Sequence, residues 1–270
     1  MDYAQPLFSI ITVCYNAKEL IEKTMSSVMS QSCQDYEYII KDGGSTDGTL
    51  EIIHQATKNH TVQVYAGRDK GIYDAMNMAL SKAKGKYVLF MNAGDVFNNP
   101  DVLSKIKSAI CIDNPKSKIG IYYGDVNEIT TKSGTEISTY RSYTKKNSKL
   151  WYYSLGACLN HQSMICDKEL FEEREFQTEY RVCADREWQM YHISKKVATK
   201  ALGFLVSDIL AEGFSSENVS ALEEETEACV RKYCGGWKVL YFIIQFLKKN
   251  KWIHSFLRRT EKNLSTKEHH

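Results

Sequence analysis

Short apolar runs alternate with amphipathic segments through the first hundred residues, and that alternation leaves few folds open. Phe8-Ser9-Ile10-Ile11-Thr12-Val13 is apolar and β-branched, as a buried strand should be. Asn16, with Glu19 three residues on, reads as a helix N-cap with its capping-box partner. Leu20, Ile21, Met25, Val28 and Met29 supply the apolar face of that helix. Tyr36 to Ile40 forms a second strand and runs into Lys41-Asp42-Gly43-Gly44-Ser45-Thr46-Asp47-Gly48, a turn-rich loop opening a helix that carries Leu50, Ile52 and Ile53. A third strand, Val62 to Ala66, leads through Gly67-Arg68-Asp69-Lys70-Gly71 into a helix lined by Ile72, Ala75, Met76, Ala79, Leu80 and Ala83, with Gly85 as its C′ residue. Tyr87 to Met91 is the fourth strand. Strands alternating with helices predict an α/β, Rossmann-like, mainly parallel sheet with helices on both faces. Ligands bind such sheets at the carboxyl ends of the strands, where Thr12 to Asn16, Asp42, Asp69 and Asn92 to Asp95 all fall.

The second half is less regular. Ile121 to Asp125 and Thr135 to Tyr140 read as strands, joined around Ser133-Gly134, and Gln162 to Cys166 and Leu202 to Ile209 as two more. Arg186 to Lys195 is expected to be a helix beginning just after Asp185. Lys and Arg count 35 against 33 Asp and Glu, a net charge of +2, which gives no electrostatic case for a nucleic-acid partner. No stretch approaches the roughly 20 apolar residues of a membrane span, and Met1 to Ser9 lacks the basic and apolar regions of a signal peptide. The eight cysteines are scattered without a C-x-x-C pair, so free thiols in a reducing, cytosolic setting are expected rather than disulfides or structural zinc.

Four ordered motifs carry a resemblance. Ile11-Thr12-Val13-Cys14-Tyr15-Asn16, then Lys41 to Gly48, resembles the start of family 2 glycosyltransferases of the GT-A fold. Asp69-Lys70-Gly71-Ile72-Tyr73-Asp74-Ala75-Met76-Asn77 is similar to the next segment in the branch that makes bacterial surface polysaccharides. Phe90-Met91-Asn92-Ala93-Gly94-Asp95 stands where that family keeps its D-x-D-type metal motif, and the likeness continues through His161-Gln162-Ser163 and Ala184-Asp185. It implies a catalytic domain over residues 1–216, with a nucleotide-sugar-binding half to about residue 100 and an acceptor-binding half after it, then a helical, basic extension over 217–270.

The resemblance also implies roles. Thr12, Asn16, Asp42, Asp69, Lys70 and Asn92 are expected at the nucleotide-sugar, and Asp95 at a Mg²⁺ or Mn²⁺ ion on the diphosphate. Asn92 and Gly94 stand where a fuller motif carries carboxylates, yet Mg²⁺ often takes only one or two protein carboxylates. Asp185 matches the family base that deprotonates the acceptor hydroxyl, although an Asp there is also an ordinary N-cap; Glu187 is the reserve candidate. His161 and Gln162, and with them Tyr123-Gly124-Asp125, are expected to face the acceptor or donor sugar, and Trp188 to lie in the core.

The implied activity is inverting transfer of a sugar, from a UDP-sugar, to a lipid-linked or oligosaccharide acceptor of capsule, O-antigen or exopolysaccharide synthesis. The alternative is a non-catalytic nucleotide-sugar-binding or assembly subunit, which the thin acidic motif motivates. Trp237 to Leu247 is apolar nearly all round, and Lys248, Lys249, Lys251, Arg258 and Arg259 follow with Trp252 and Phe256 between them. Two readings stay open for 237–262: an interfacial helix on the inner face of an anionic membrane, or a helix packed on the catalytic domain or in a homodimer contact.

Overall fold

The computed structural model describes residues 5–58, 60–113, 118–132, 135–155, 157–211, 216 and 218–249. Strands β1 (Phe8–Cys14), β2 (Tyr36–Asp42), β3 (Val62–Ala66) and β4 (Tyr87–Phe90) lie side by side, in parallel, in the order β3-β2-β1-β4. Helices α1 (Ile21–Met29), α2 (Thr49–Ala56) and α3 (Ile72–Leu80) make the crossovers. Every residue of β1 is buried, which is why its sequence is a continuous apolar run. Its alternate side chains serve two cores: Phe8 and Ile10 pack with Ile21, Met25 and Val28 of α1, and Ile11 and Val13 with Met76, Ala79 and Leu80 of α3.

Beyond β4 the sheet becomes mixed. It continues through β8 (Met164–Asp167), β6 (Ile121–Lys132), β9 (Thr199–Leu210) and the two-residue β5 (Val96–Phe97). The β4–β8, β8–β6 and β9–β5 pairs are antiparallel, while β6 and β9 run parallel. Strand β7 (Thr135–Arg141) pairs antiparallel with β6; the connection expected at Ser133-Gly134 lies outside the described residues. The remaining helices are α4 (Val102–Ile112), α5 (Leu150–Tyr153), α6 (Lys168–Glu173), α7 (Ala184–Ser194), α8 (Val219–Tyr233) and α9 (Lys238–Lys249). A third apolar cluster, with Tyr153, Cys183, Met190, Cys229, Val230 and Tyr241, fastens α8 and α9 to α5 and α7.

Local details depart from the sequence reading in ways that matter to the site. Helix α1 starts at Ile21 rather than after Asn16, and its N-cap makes no side-chain bond. Asn16 instead takes a left-handed backbone, φ 48°, a conformation that Asn tolerates better than most residues. Its Oδ1 accepts the Thr46 N–H at 3.0 Å and its own N–H donates to Ser45 Oγ at 2.8 Å, which ties the first polar loop to the second. Helix α3 ends at Leu80, so Gly85 is not its C′ residue. A Cβ at Gly85 would lie 2.4 Å from the Ser9 nitrogen; the glycine lets the chain cross tightly over β1. Strand β8 begins at Met164, because residues 161–163 form a single 3₁₀ turn.

Candidate active site

Two adjoining cavities open over the carboxyl ends of β1 and β4, one of about 500 Å³ and one of about 370 Å³. Leu20, Ile72, Tyr73, Asn92 and Ala93 border both. Asn16, Asp69, Lys70 and Arg181 line the larger cavity. Asp69 is held rigidly from behind. The buried Lys41 ammonium donates to its Oδ2 at 3.1 Å and to the carbonyls of Asp42 and Gly67, while the Gly71 N–H donates to Asp69 Oδ1. Lys70 and Arg181 add exposed cationic side chains, and Tyr15 an exposed ring.

Two residues expected at the nucleotide line neither cavity. Thr12 falls on the face of β1 that meets α1, wholly buried, its hydroxyl donating to the Met91 carbonyl at 2.6 Å and lying 2.9 Å from the Tyr38 hydroxyl. Asp42 is also wholly buried. Its Oδ1 accepts the N–H groups of Gly44 and Ser45, each at 2.8 Å, and its Oδ2 the Ser45 hydroxyl. Asp42 therefore shapes the loop that Asn16 holds, a turn-forming use of a short carboxylate.

Asp185, Asn92, Asp95, His161 and Gln162 come together around the smaller cavity. Asp185 is the second residue of α7, and the N-cap is Cys183, so a capping role does not account for it. Its carboxylate receives the Tyr73 hydroxyl at 2.7 Å and faces His161 Nδ1 at 3.1 Å; Asn92 Nδ2 lies 3.0 Å from His161 Nε2. The tautomer with its hydrogen on Nδ1 satisfies both histidine contacts. Burial opposes a charge on Asp185, but the bond and charge of His161, the Tyr73 hydroxyl and Arg186 outweigh it and hold the carboxyl below its usual range. Burial likewise opposes a charge on His161, and Asp185, with Asp95 behind it, raises its pKa above the ordinary imidazole value. Tyr73 was legible only as a member of the Asp69–Asn77 motif, with no role of its own; its partner lies 112 residues away.

Asp95 sits at the start of β5, 5% exposed, its Oδ1 accepting the Leu210 N–H and its Oδ2 the Gln162 amide at 3.0 Å. Burial raises its pKa to about 6, against the Gln162 bond, His161 and the Leu210 bond, which lower it. Gly94 explains why no second carboxylate stands beside it. The backbone there has φ 103°, and a Cβ would lie 2.7 Å from Leu210 Cδ1, so only glycine fits easily. Asn92 Oδ1 is buried with no hydrogen-bond partner among the described residues. Asp95 and Asn92 Oδ1 are thus hard oxygen donors of the kind a Mg²⁺ or Mn²⁺ ion takes, a thin set that suits an ion shared with a diphosphate.

Three other expectations resolve structurally. Glu187, wholly buried, is enclosed by Arg174, Lys232 and Tyr233, which makes it a strut between α7 and α8 rather than a base. Asp125 is buried too and accepts from the Tyr140 hydroxyl and the Tyr143 N–H, bracing β6 instead of facing a sugar. Trp188 is 1% exposed and stacks on Phe171 in the core, as expected.

The model of the family Glycosyl transferase family 2 matches residues 9–173. The chain belongs to glycosyltransferase family 2. Its relatives include a PGL/p-HBAD biosynthesis glycosyltransferase of Mycobacterium bovis, 30% identical over 187 residues, which span 67% of this chain and 68% of that protein. The UDP-Glc:alpha-D-GlcNAc-diphosphoundecaprenol beta-1,3-glucosyltransferase WfaP of Escherichia coli is 36% identical over 104 residues, 38% of this chain and 40% of WfaP. Among solved structures, S. aureus TarS 1-349 in complex with UDP superposes with a TM-score of 0.59 at 16% identity, covering 84% of this chain and 70% of that one. The mannosyltransferase PcManGT from Pyrobaculum calidifontis, in complex with GDP-Man and Mn²⁺, gives 0.57 at 15% identity, covering 94% and 84%. These likenesses carry the fold: this family 2 glycosyltransferase has the GT-A architecture, a parallel half continued by a mixed sheet.

Proposed function

We propose that this family 2 glycosyltransferase moves a sugar from a UDP-sugar to a hydroxyl of a lipid-linked or oligosaccharide acceptor in bacterial surface-polysaccharide synthesis, with inversion at the anomeric carbon. The observation that carries the reading is the Asp185 carboxylate, aimed by Tyr73 and His161 beside the wall that the two cavities share. The donor occupies the larger cavity, with Asn16 and Asp69 at the nucleoside end and Lys70 and Arg181 facing the diphosphate. The acceptor enters the smaller one. Its oxygen attacks the anomeric carbon as its proton passes to Asp185, and the bond to the diphosphate oxygen breaks with its electron pair leaving on the nucleotide. The depressed pKa keeps Asp185 ionised, and so ready for that proton, at neutral pH. Gln162, on Asp95, fixes the floor beneath the transferring sugar. A divalent cation held by Asp95 and Asn92 would neutralise charge on the departing diphosphate. PcManGT is solved in complex with Mn²⁺, and WfaP is a UDP-Glc:alpha-D-GlcNAc-diphosphoundecaprenol glucosyltransferase, which supports the metal, the donor class and the lipid-linked acceptor.

The test is nucleotide release from a panel of nucleotide-sugars, with and without Mn²⁺, by the wild type and Asp185→Ala. One donor should be hydrolysed slowly in a metal-dependent way, and Asp185→Ala should lose transfer while keeping donor binding. The thin acidic set motivates a non-catalytic nucleotide-sugar-binding subunit as the rival, and donor binding without turnover on any acceptor would install it. Failure to bind any donor would remove both readings.

A further inference from the structure

Away from the two cavities, a cleft of about 650 Å³ runs between the 3₁₀ turn Lys145–Ser148, α5 and the end of α7. Lys145, Lys149 and Lys196 line it with the rings of Trp151 and Trp237, and no carboxylate is among its lining residues. All three lysines are exposed, and none makes an ion pair among the described residues. In a chain whose charges nearly balance, three unpaired cations without an intervening acid form a local positive field.

Trp237 links this cleft to the start of α9. That residue is 53% exposed, and Val239 and Ile243, one helical turn apart on α9, are 57% and 51% exposed. The rest of α9 is engaged with the body: Tyr241, on the opposite face, is buried, and the Arg231 guanidinium of α8 stacks over the Phe242 ring at the flank. The helix therefore holds to the body by one side and presents apolar side chains on the other. In sequence it runs straight into Lys248, Lys249 and Lys251, with Arg258 and Arg259 beyond. Among the described residues no helix is long and apolar enough to cross a membrane.

An exposed apolar stripe flanked by a tryptophan and unpaired lysines has the composition of a surface that lies in a lipid interface, with rings and aliphatic groups at the acyl boundary and ammonium groups among the headgroups. We propose that this face, formed by Trp237, Val239 and Ile243 with Lys145, Lys149 and Lys196, docks the enzyme on an anionic phospholipid bilayer. Charge complementarity selects that occupant over a second copy of the chain, whose identical cationic face would be repelled. The proposal stands independently of the transfer chemistry, since none of these residues borders the two active-site cavities.

The test is flotation of the full chain with phosphatidylcholine vesicles containing or lacking about a third phosphatidylglycerol, at low and high salt. The wild type should float with the anionic vesicles, lose that binding in high salt, and stay behind with the neutral ones. Each lysine near an anionic surface strengthens partition about fivefold, so Lys145→Gln, Lys149→Gln and Lys196→Gln together should weaken it roughly 100-fold. Trp237→Ala with Ile243→Ser should weaken it as well, and both sets should leave the melting temperature and donor hydrolysis unchanged. Absence of flotation by the wild type, equal flotation with neutral vesicles, or a triple-lysine variant that binds like the wild type each overturns the proposal. So does a dimer in vesicle-free sedimentation that Trp237→Ala with Ile243→Ser dissociates, because a second copy would then own the stripe.

Discussion

Replacing Asp95 with Asn should make the metal-free protein more stable while abolishing metal-dependent turnover. Burial lifts the Asp95 pKa from 3.8 to about 6, so at pH 8 the folded chain keeps a charge that the fold disfavours. A difference of roughly two pKa units corresponds to about 3 kcal/mol. The sign follows from linkage: a group whose folded pKa is raised contributes fully below its unfolded pKa, and that contribution is lost as pH rises through about 6. The amide oxygen that Asp95→Asn introduces would keep the Leu210 N–H bond, and Gln162 can turn its amide to present an oxygen, so at most one hydrogen bond worth about 1 kcal/mol is at risk. The net gain at pH 8 is then about 2–3 kcal/mol, which for a chain of this size raises the melting temperature by roughly 4–10 °C. By pH 4 the gain should shrink below about 1 kcal/mol, because Asp95 is then protonated in the folded state. Thermal melts of both proteins in chelator at pH 8 and pH 4 measure this directly. A variant no more stable than the wild type at pH 8, or an advantage equally large at pH 4, would refute the burial argument.

Tyr73→Phe removes the hydroxyl that aims Asp185, and transfer should fall about tenfold with donor binding intact, read from kcat against KM. In Glu187→Gln the buried partner of Arg174, Lys232 and Tyr233 loses its charge; unfolding in urea should show a loss of about 3–5 kcal/mol, with α8 loosening first in hydrogen exchange. His192 is buried against Trp188, and burial lowers its pKa to about 4. The unfolded chain therefore binds the extra proton between pH 6.5 and 4, and stability should drop by about 3 kcal/mol as pH falls through that window. His192→Leu should flatten the slope in that range; an unchanged slope would assign it to other groups. Gly85→Ala forces a methyl group into the β1 backbone, and a loss of about 3 kcal/mol or more is expected in denaturant melts.

The parallel half of the fold was legible because each buried strand is a short apolar run bounded by turn residues. Expected strands at 8–13, 36–40, 62–66 and 87–91 match β1 to β4 to within two residues at either end. The mixed half gave less, since its pairings join distant segments and the two-residue β5 has no pattern of its own. At the site, proximity of Asp185, Asn92, Asp95, His161 and Gln162 followed from the motifs, whereas side-chain direction did not. Thr12 and Asp42 occupy the expected strand ends, yet one points into the α1 face and the other into its own loop. Asn16 shows the converse: the capping pattern was present, but the left-handed backbone and the Thr46 bond took the side chain elsewhere. Lys41 and Tyr73 stood inside the motifs without an assigned role, and Arg181 stood outside them, because what matters about each is a partner or a cavity assembled from remote chain.

The short strand β5 has a consequence for when the enzyme becomes an enzyme. Asp95 is fixed by the Leu210 N–H, 115 residues on, and Asp185 reaches Tyr73 across 112 residues. Contacts of such sequence separation form late, after the local βα units have already collapsed. During synthesis the parallel half can emerge and fold with the larger cavity half built, while Asp95 and Asp185 still lack their supports. On the roles proposed for Asp95 and Asp185, an unfinished chain would be a poor hydrolase of activated sugars until β9 has docked.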